Sequence, residues 1–370
     1  MILHLMYDEK VISRTIQYFE EALPGQNRFI IMIPFFGYQC KYVNMQSDKV
    51  FYVKYGSKVF WKYVGNVNQY SHVICHLLGM NAIRFVLKTR HPAVTWMVWG
   101  ADIYSELLPA RGFQLYDRES IEHISAKDHR LIHKSKVWLK RRYKLYLQVR
   151  AVKCISNACI GEGDYQLLLQ YYPEFKHLNR KPFFYYPIDS IIPESLRNKG
   201  ITGDNILVGN SASLSGNHFR VFKLLSELDI KQRKVIVPVS YGEYKEQIIE
   251  EGQRLLGNRF EPLIDFLPLQ EYNKILLQSR TFVYGHYRQE AWGNIVIALY
   301  IGATVFLESC NPLMVDIKAL GCVVFSMDQL NEKLHYKLTE FEVKKNREII
   351  ERNFNHERLM QCIKETFGAP

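Results

Sequence analysis

The sequence predicts an α/β protein made of two doubly wound domains in tandem, each with a parallel sheet covered on both faces. Three observations predict it. Short apolar runs alternate with helical patterns along most of the chain, the rhythm of βαβ units. That rhythm lapses over residues 188–203, a stretch holding Pro193, Gly200 and Gly203, and then restarts. With 370 residues, 48% of them hydrophobic, the chain is long enough to bury two cores.

The first half, residues 1–190, reads as strands at 2–6, 29–34, 50–54, 72–75 and 94–99, with helices such as 10–23 and 77–87 between them. The first ten residues carry acids where a signal peptide needs an apolar run, so they read as a first strand. In parallel sheets the working residues lie in loops at the carboxyl ends of strands. One such loop is Val98-Trp-Gly-Ala-Asp-Ile-Tyr104. Gly100 permits a tight turn, and Asp102 falls where it either caps a helix or serves as a general base facing the cleft.

Residues 127–153 read as one long helix carrying ten Lys/Arg against one acid, Asp128. The formal net charge of the chain is +11, so this block supplies most of it. Plotted at the helical period, Leu131, Ile132, Trp138, Leu139, Tyr143, Leu145, Tyr146 and Val149 gather on one side. Lys140, Arg141 and Lys144 gather opposite, and Arg142 intrudes among the apolar residues. Such a helix packs on the core with a solvated basic back, or lies on an anionic membrane with Trp and Tyr at headgroup depth. Nucleic acid ranks last, because no zinc finger or RNP-type motif accompanies the block.

A strand at 152–156 then leads to Gly161-Glu-Gly163, a weak G-x-G without a third glycine. Residues 181–187 close the first half as a strand. His72 and His76 flank a strand-like run and read as ordinary histidines rather than ligands.

The second half restarts with strands at 205–208, 234–237, 263–267, 281–284, 304–307 and 322–325, about six in parallel. Helices at 269–278 and 291–301, and others reaching residues 228 and 256, lie between them. The loop Gly209–218 is rich in hydroxyls and amides, with Asn210, Ser211, Ser213, Asn217 and His218, and suits a diphosphate or sugar. Ser240, Tyr241 and Gly242 follow the next strand. After the strand at 281–284 come His286, Arg288, Gln289 and Glu290, with Gly293 and Asn294 in the first helical turn. Unpaired N–H groups and the dipole at that turn favour an anion, and Glu290 is placed to hold ribose hydroxyls. Residues 331–370 read as a charged helix pair folding back toward the first domain.

Seven cysteines without a C-x-x-C pair argue for reduced thiols rather than a disulfide framework or zinc ribbon. The longest near-apolar run, 295–307, is too short to span a bilayer.

Four segments then carry a specific resemblance. They are Ile206-Leu-Val-Gly-Asn-Ser-Ala-Ser-Leu-Ser-Gly-Asn-His218, Val237-Pro-Val-Ser-Tyr-Gly242, Phe266-Leu-Pro-Leu-Gln-Glu-Tyr272 and Arg288-Gln-Glu-Ala-Trp-Gly-Asn294. With His4-Leu-Met-Tyr-Asp-Glu-Lys10 and Trp99-Gly-Ala-Asp-Ile-Tyr104, they resemble glycosyltransferase family 56, the TDP-4-acetamido-4,6-dideoxygalactose:lipid II transferase type of enterobacterial common antigen synthesis. The match spans most of the chain, is strongest at about 204–308, and is poor at 105–200.

The resemblance implies the GT-B fold: an acceptor domain at 1–190, a nucleotide-sugar domain at 191–330 and helices at 331–370. It implies transfer of a deoxyamino-type sugar from a TDP- or UDP-linked donor to a polyprenyl-diphosphate-linked glycan. The expected place is the cytoplasmic face of a bacterial inner membrane, held peripherally through the basic helix. No Asp-x-Asp occurs in the sequence, so a metal-free reaction without a cofactor is expected, with Arg288, His218 or His286 and helix N-termini meeting the diphosphate charge. An inverting reaction is expected, with Asp102 deprotonating the acceptor hydroxyl; were configuration retained, Asp102 would fall back to a cap. A nucleotide-sugar epimerase and a non-enzymatic nucleic-acid-binding protein are the alternatives.

Overall fold

The computed structural model of the chain describes residues 1–127 and 134–368. Among them the first domain holds seven parallel strands: β1 (Ile2–Met6), β2 (Asn27–Ile33), β3 (Val50–Lys54), β4 (His72–His76), β5 (Val94–Met97), β6 (Asn157–Cys159) and β7 (Asn179–Lys181). Their order across the sheet is β3-β2-β1-β4-β5-β6-β7, so the chain reverses direction between β1 and β4. Every residue of β1 is buried, as expected of a central strand covered on both faces.

The second sheet repeats the winding. It holds β8 (Asn205–Val208), β9 (Val235–Pro238), β10 (Phe260–Leu263), β11 (Ser279–Tyr284), β12 (Thr304–Leu307) and β13 (Phe325–Ser326). The order is β10-β9-β8-β11-β12-β13, with the reversal between β8 and β11. Ligands of such sheets bind at that reversal, outside the strand carboxyl ends. Two cores cover its faces, one around Phe222, Val237 and Phe306, the other around Phe282, Leu299 and Ile301.

The C-terminal helices join the two halves. Glu340–Phe354 lies against the Trp292–Ile301 helix of the second domain. His356–Phe367 crosses to the first domain, where Leu359, Ile363 and Phe367 share a core with Ile12, Ile16 and Phe19. The Phe19 and Phe367 rings are 5.4 Å apart.

Several expected elements shift, each for a local reason. The strand expected at 152–156 is the end of the Lys134–Val152 helix and a turn, because Ala151, Val152 and Ile155 bury against the core from helical positions. β6 begins one residue later. The strand expected at 263–267 ends at Leu263, since Ile264 and Phe266 are exposed loop residues. The last strand shrinks to Phe325–Ser326. The strand expected at 181–187 is β7 followed by an irregular segment whose Phe183, Phe184 and Tyr185 pack beside the core shared with the C-terminal helix.

The long basic helix corresponds to Lys134–Val152; residues 128–133 lie outside the described residues, as do the side chains of Leu131, Ile132, Trp138 and Leu139. Its expected two-sided split is corrected. Leu145, Gln148 and Val149 face inward, whereas Tyr143 and Tyr146 are 58% and 56% exposed beside Lys140, Arg141 and Arg142. Lys144 meets Glu106 at 3.4 Å. Among the described residues no helix is long and apolar enough to cross a membrane.

Candidate active site

The carboxyl ends of β8 and β11 bring two helix starts side by side. The His218–Ser226 helix follows Asn217, and the Trp292–Ile301 helix follows Ala291; both preceding residues are left-handed, and neither supplies a side-chain cap. Their first N–H groups are therefore left for an external acceptor. Ala291 at φ 61° is a strained choice for a residue with a Cβ, and such strain gathers at binding sites.

His218 lies 1% exposed behind the first loop. Its ring fills the space over Gly209 and Gly216: a Cβ would fall 2.6 Å from Nε2 at the first and 2.3 Å from Cε1 at the second. Gly209 also sits at φ 67°, so both backbone and space require glycine there. His286, also 1% exposed, follows β11. All four ring nitrogens of the two histidines, with the buried Tyr284 hydroxyl, have no hydrogen-bond partner among the described residues. Buried polar groups are nearly always paired, so this cluster is unspent capacity for a ligand. Burial pushes His218 down to about 3 and His286 to about 4, so both rings are neutral at pH 7.

Glu290 is fixed from two sides. Ser215 Oγ donates to its Oε2 at 2.8 Å, and Arg288 Nε to the same oxygen at 2.7 Å. His286 Nε2 lies 3.8 Å from it. Burial raises this carboxyl, but His286 and Arg288 hold it below the ordinary value overall. Both bonds fall on Oε2. Asn294 bonds the Tyr272 hydroxyl, and Gly293 stands open, with only Ile191 at 4.0 Å from a notional Cβ.

Other expected contacts are internal. Asn217 is fully buried and spent: its Oδ1 accepts from Asp117 N at 3.1 Å and its Nδ2 donates to Gly285 O at 2.7 Å. It ties the loop after β8 to Asp117 and to the end of β11. Ser211 and Ser213 bond each other at 3.0 Å, the ordinary turn. Gly242, at φ 121°, packs on Ala212 so closely that a Cβ would lie 2.3 Å from its carbonyl carbon. Beside half-buried Ser240, Tyr241 is half exposed, stacks on Phe266 at 5.9 Å and receives the Asn210 amide at 3.5 Å.

Across the cleft, Gln289 lies against Gly100, with its backbone oxygen 3.8 Å from a notional Cβ there, and its backbone reaches the Tyr104 hydroxyl. Gly100 thus belongs to the seam between the domains.

Asp102 has a different place from the one expected of a base. It is 5% exposed and accepts three hydrogen bonds: Leu78 N at 2.9 Å, Trp96 Nε1 at 3.0 Å and Trp99 N at 2.9 Å. Burial nevertheless raises its carboxyl to about 6. A general base must reach the acceptor hydroxyl, and this carboxylate is turned inward to tie the ends of β4 and β5 together. The capping role is the one its geometry serves.

The weak G-x-G also finds a partner inside the protein. Asp316 of the second domain accepts from Glu162 N at 2.8 Å and Gly163 N at 3.4 Å, filling the anion position at that helix start. A Cβ on Gly163 would lie 2.0 Å from Pro312 O. Gly163→Ala is therefore expected to lower the melting temperature by forcing this seam apart; an unchanged melt would show that the seam yields freely.

Sequence reasoning missed Ser215, Asp117 and the half-buried Arg220–Glu308 ion pair. A depression of about 580 Å³ is lined by Glu119, Glu122, His123, Phe219 and Glu251, none of which takes part in the geometry above.

Three kinds of likeness bear on this geometry. Residues 123–353 match the family described as 4-alpha-L-fucosyltransferase, glycosyl transferase group 56. The fold is similar to sucrose-phosphate synthase from Thermosynechococcus elongatus, with a TM-score of 0.61 at 9% identity over 98% of this chain and 97% of that one. It is similar to Anabaena Alr3699/HepE in complex with UDP and glucose, TM-score 0.59 at 13% identity over 100% and 99%. It is also similar to WaaG, a glycosyltransferase involved in lipopolysaccharide biosynthesis, TM-score 0.53 at 13% identity over 99% and 98%.

Proposed function

This chain belongs to the group 56 glycosyltransferases, and we propose that it moves a deoxyamino-type sugar from a TDP- or UDP-linked donor to a hydroxyl of a polyprenyl-diphosphate-linked glycan. That the protein is a glycosyltransferase of GT-B fold follows from its family and its structural neighbours. The single observation that carries the donor site is the pair of buried, unpartnered histidines between two uncapped helix starts.

In this reading the diphosphate enters between the starts of the His218–Ser226 and Trp292–Ile301 helices. Backbone N–H groups there, with N–H donors of His218 and His286, receive the charge that builds on the leaving diphosphate as the glycosidic bond breaks. Donors fixed before the reaction need no reorganisation during it. Glu290, held through Oε2 by Ser215 and Arg288, accepts ribose hydroxyls on Oε1. The crystallised Anabaena neighbour, bound to UDP and glucose, supports a nucleoside diphosphate as the ligand class. The lipid-linked acceptor fits the exposed Tyr143 and Tyr146 among cations on the Lys134–Val152 helix, a pattern suited to peripheral attachment at the cytoplasmic face of the inner membrane.

The test is thermal melting with TDP, UDP, GDP and CMP, on wild type and Glu290→Ala. A ligand at a hundred times its dissociation constant adds about 2.7 kcal/mol of stability. One nucleoside diphosphate should stabilise the wild type and lose most of its effect on the variant. Stabilisation by none of them would sink the donor site.

A further inference from the structure

We propose that Tyr104 of the first domain is a positioning residue for the nucleotide site of the second, fixing the Arg288–Glu290 turn through the Gln289 backbone. This rests on the reading of Glu290 as the ribose ligand and adds how that carboxylate is held in place.

Tyr104 is 1% exposed, and its ring lies 5.7 Å from that of Phe113. A phenol buried so deeply needs partners for its hydroxyl, and it has one from each domain. The hydroxyl donates to Asp164 Oδ1 at 2.5 Å, and Asp164 is itself buried. The Gln289 backbone, from the loop after β11, reaches the same hydroxyl. The two residues meet over Gly100. A Cβ there would stand 3.8 Å from Gln289 O, 3.9 Å from Gln289 Oε1 and 3.8 Å from Tyr104 Cδ2.

The local backbone sets up this reach. Ile103–Leu107 winds as a π-helical turn directly after Asp102, which ties the ends of β4 and β5. Such turns are rare and gather at functional sites. Asp164 lies in the first turn of the Glu162–Tyr171 helix, whose Glu162 and Gly163 N–H groups hold Asp316. Asp316 belongs to the Pro312–Leu320 helix of the second domain. The anchor of Tyr104 is thus docked on the second domain through an element other than the nucleotide loop.

Gln289 stands between the two residues of the ion pair, in which Arg288 Nε donates to Glu290 Oε2 at 2.7 Å. A shift of the Gln289 backbone therefore moves both ends of the pair. Ser215 holds Glu290 from within the second domain, and Tyr104 supplies the tie from across the cleft. The ribose ligand is fully set only where the two domains meet.

The test is titration calorimetry of folded, full-length protein with TDP, UDP and inorganic pyrophosphate. Tyr104→Phe removes one oxygen and keeps the packed ring. Its dissociation constant for the nucleotide that binds wild type should rise about tenfold, the effect of losing one hydrogen bond. Pyrophosphate has no ribose, so its affinity should stay within about twofold of wild type. General loosening of the seam would weaken both ligands alike. Asp164→Ala, which frees the Tyr104 hydroxyl, should show the same split. Asp164→Asn, whose carbonyl still accepts the phenol proton, should recover most of the loss. That pair decides the matter if Tyr104→Phe does not fold. Wild-type nucleotide affinity in Tyr104→Phe or in Asp164→Ala overturns the proposal, while the donor site still stands if Glu290→Ala loses binding. Equal losses for nucleotide and pyrophosphate overturn it too, in favour of a merely structural tyrosine. No nucleotide binding to wild type removes the donor-site reading and this proposal together.

Discussion

Asp102→Ala is expected to unfold the first domain rather than leave a folded, inactive enzyme. The substitution strands three buried donors, Leu78 N, Trp96 Nε1 and Trp99 N. Each unpaired buried group costs about 1–3 kcal/mol, so the sum is a large share of the roughly 5–15 kcal/mol that holds a protein folded. Asp102→Asn keeps the shape but must turn its amide NH₂ toward one of the same donors. Its melting temperature should fall part of the way, and its transfer activity should follow the folded fraction. The two roles therefore separate in one experiment. A wild-type melt with transfer abolished in Asp102→Asn would restore the general base; a lowered melt with activity retained in the folded fraction fits the tie between β4 and β5.

What could be read from the sequence followed burial. β1 and β12, mostly apolar and buried at every residue, stood where their letters placed them. The strand expected at 263–267 failed because Ile264 and Phe266 are apolar yet exposed, and a one-dimensional pattern cannot tell a core face from a surface patch. The site was legible in kind: polar loops after β8 and β11, a carboxylate and two histidines. Its internal pairing was not. Asn217 looks like a ligand in the sequence and is bonded to Asp117, 100 residues before it, and Gly285, 68 residues after it, both outside any local window. Glu162 and Gly163 looked like a weak phosphate loop, and the anion they hold is Asp316 from the other domain.

Lowering the pH from 7 to 5 is expected to destabilise the ligand-free protein, and a bound nucleoside diphosphate should blunt that loss. His4, His76, His218 and His286 are buried and neutral, each held below 6.5 chiefly by burial. His4 and His76 share a bond of 3.1 Å, whereas His218 and His286 face each other, Arg288 and Glu290. The unfolded chain takes up protons at these positions as pH falls through 6.5 and the folded chain does not, so stability drops with pH. By pH 5 the loss is about 2 kcal/mol per ring. Asp102 and Asp164 act in the opposite sense, because burial raises them to about 6 and about 7. Their folded forms bind protons the unfolded chain does not, and this stabilising share grows as pH falls through those values, offsetting part of the histidine loss. The net expectation is a loss of stability between pH 7 and 5, read from urea midpoints. A diphosphate at His218 and His286 favours the protonated rings, so the same nucleotide should bind more tightly at pH 6 than at pH 8. A stability that stays flat to pH 5 would contradict the neutral burial of these rings. An affinity that weakens as pH falls would place the diphosphate elsewhere.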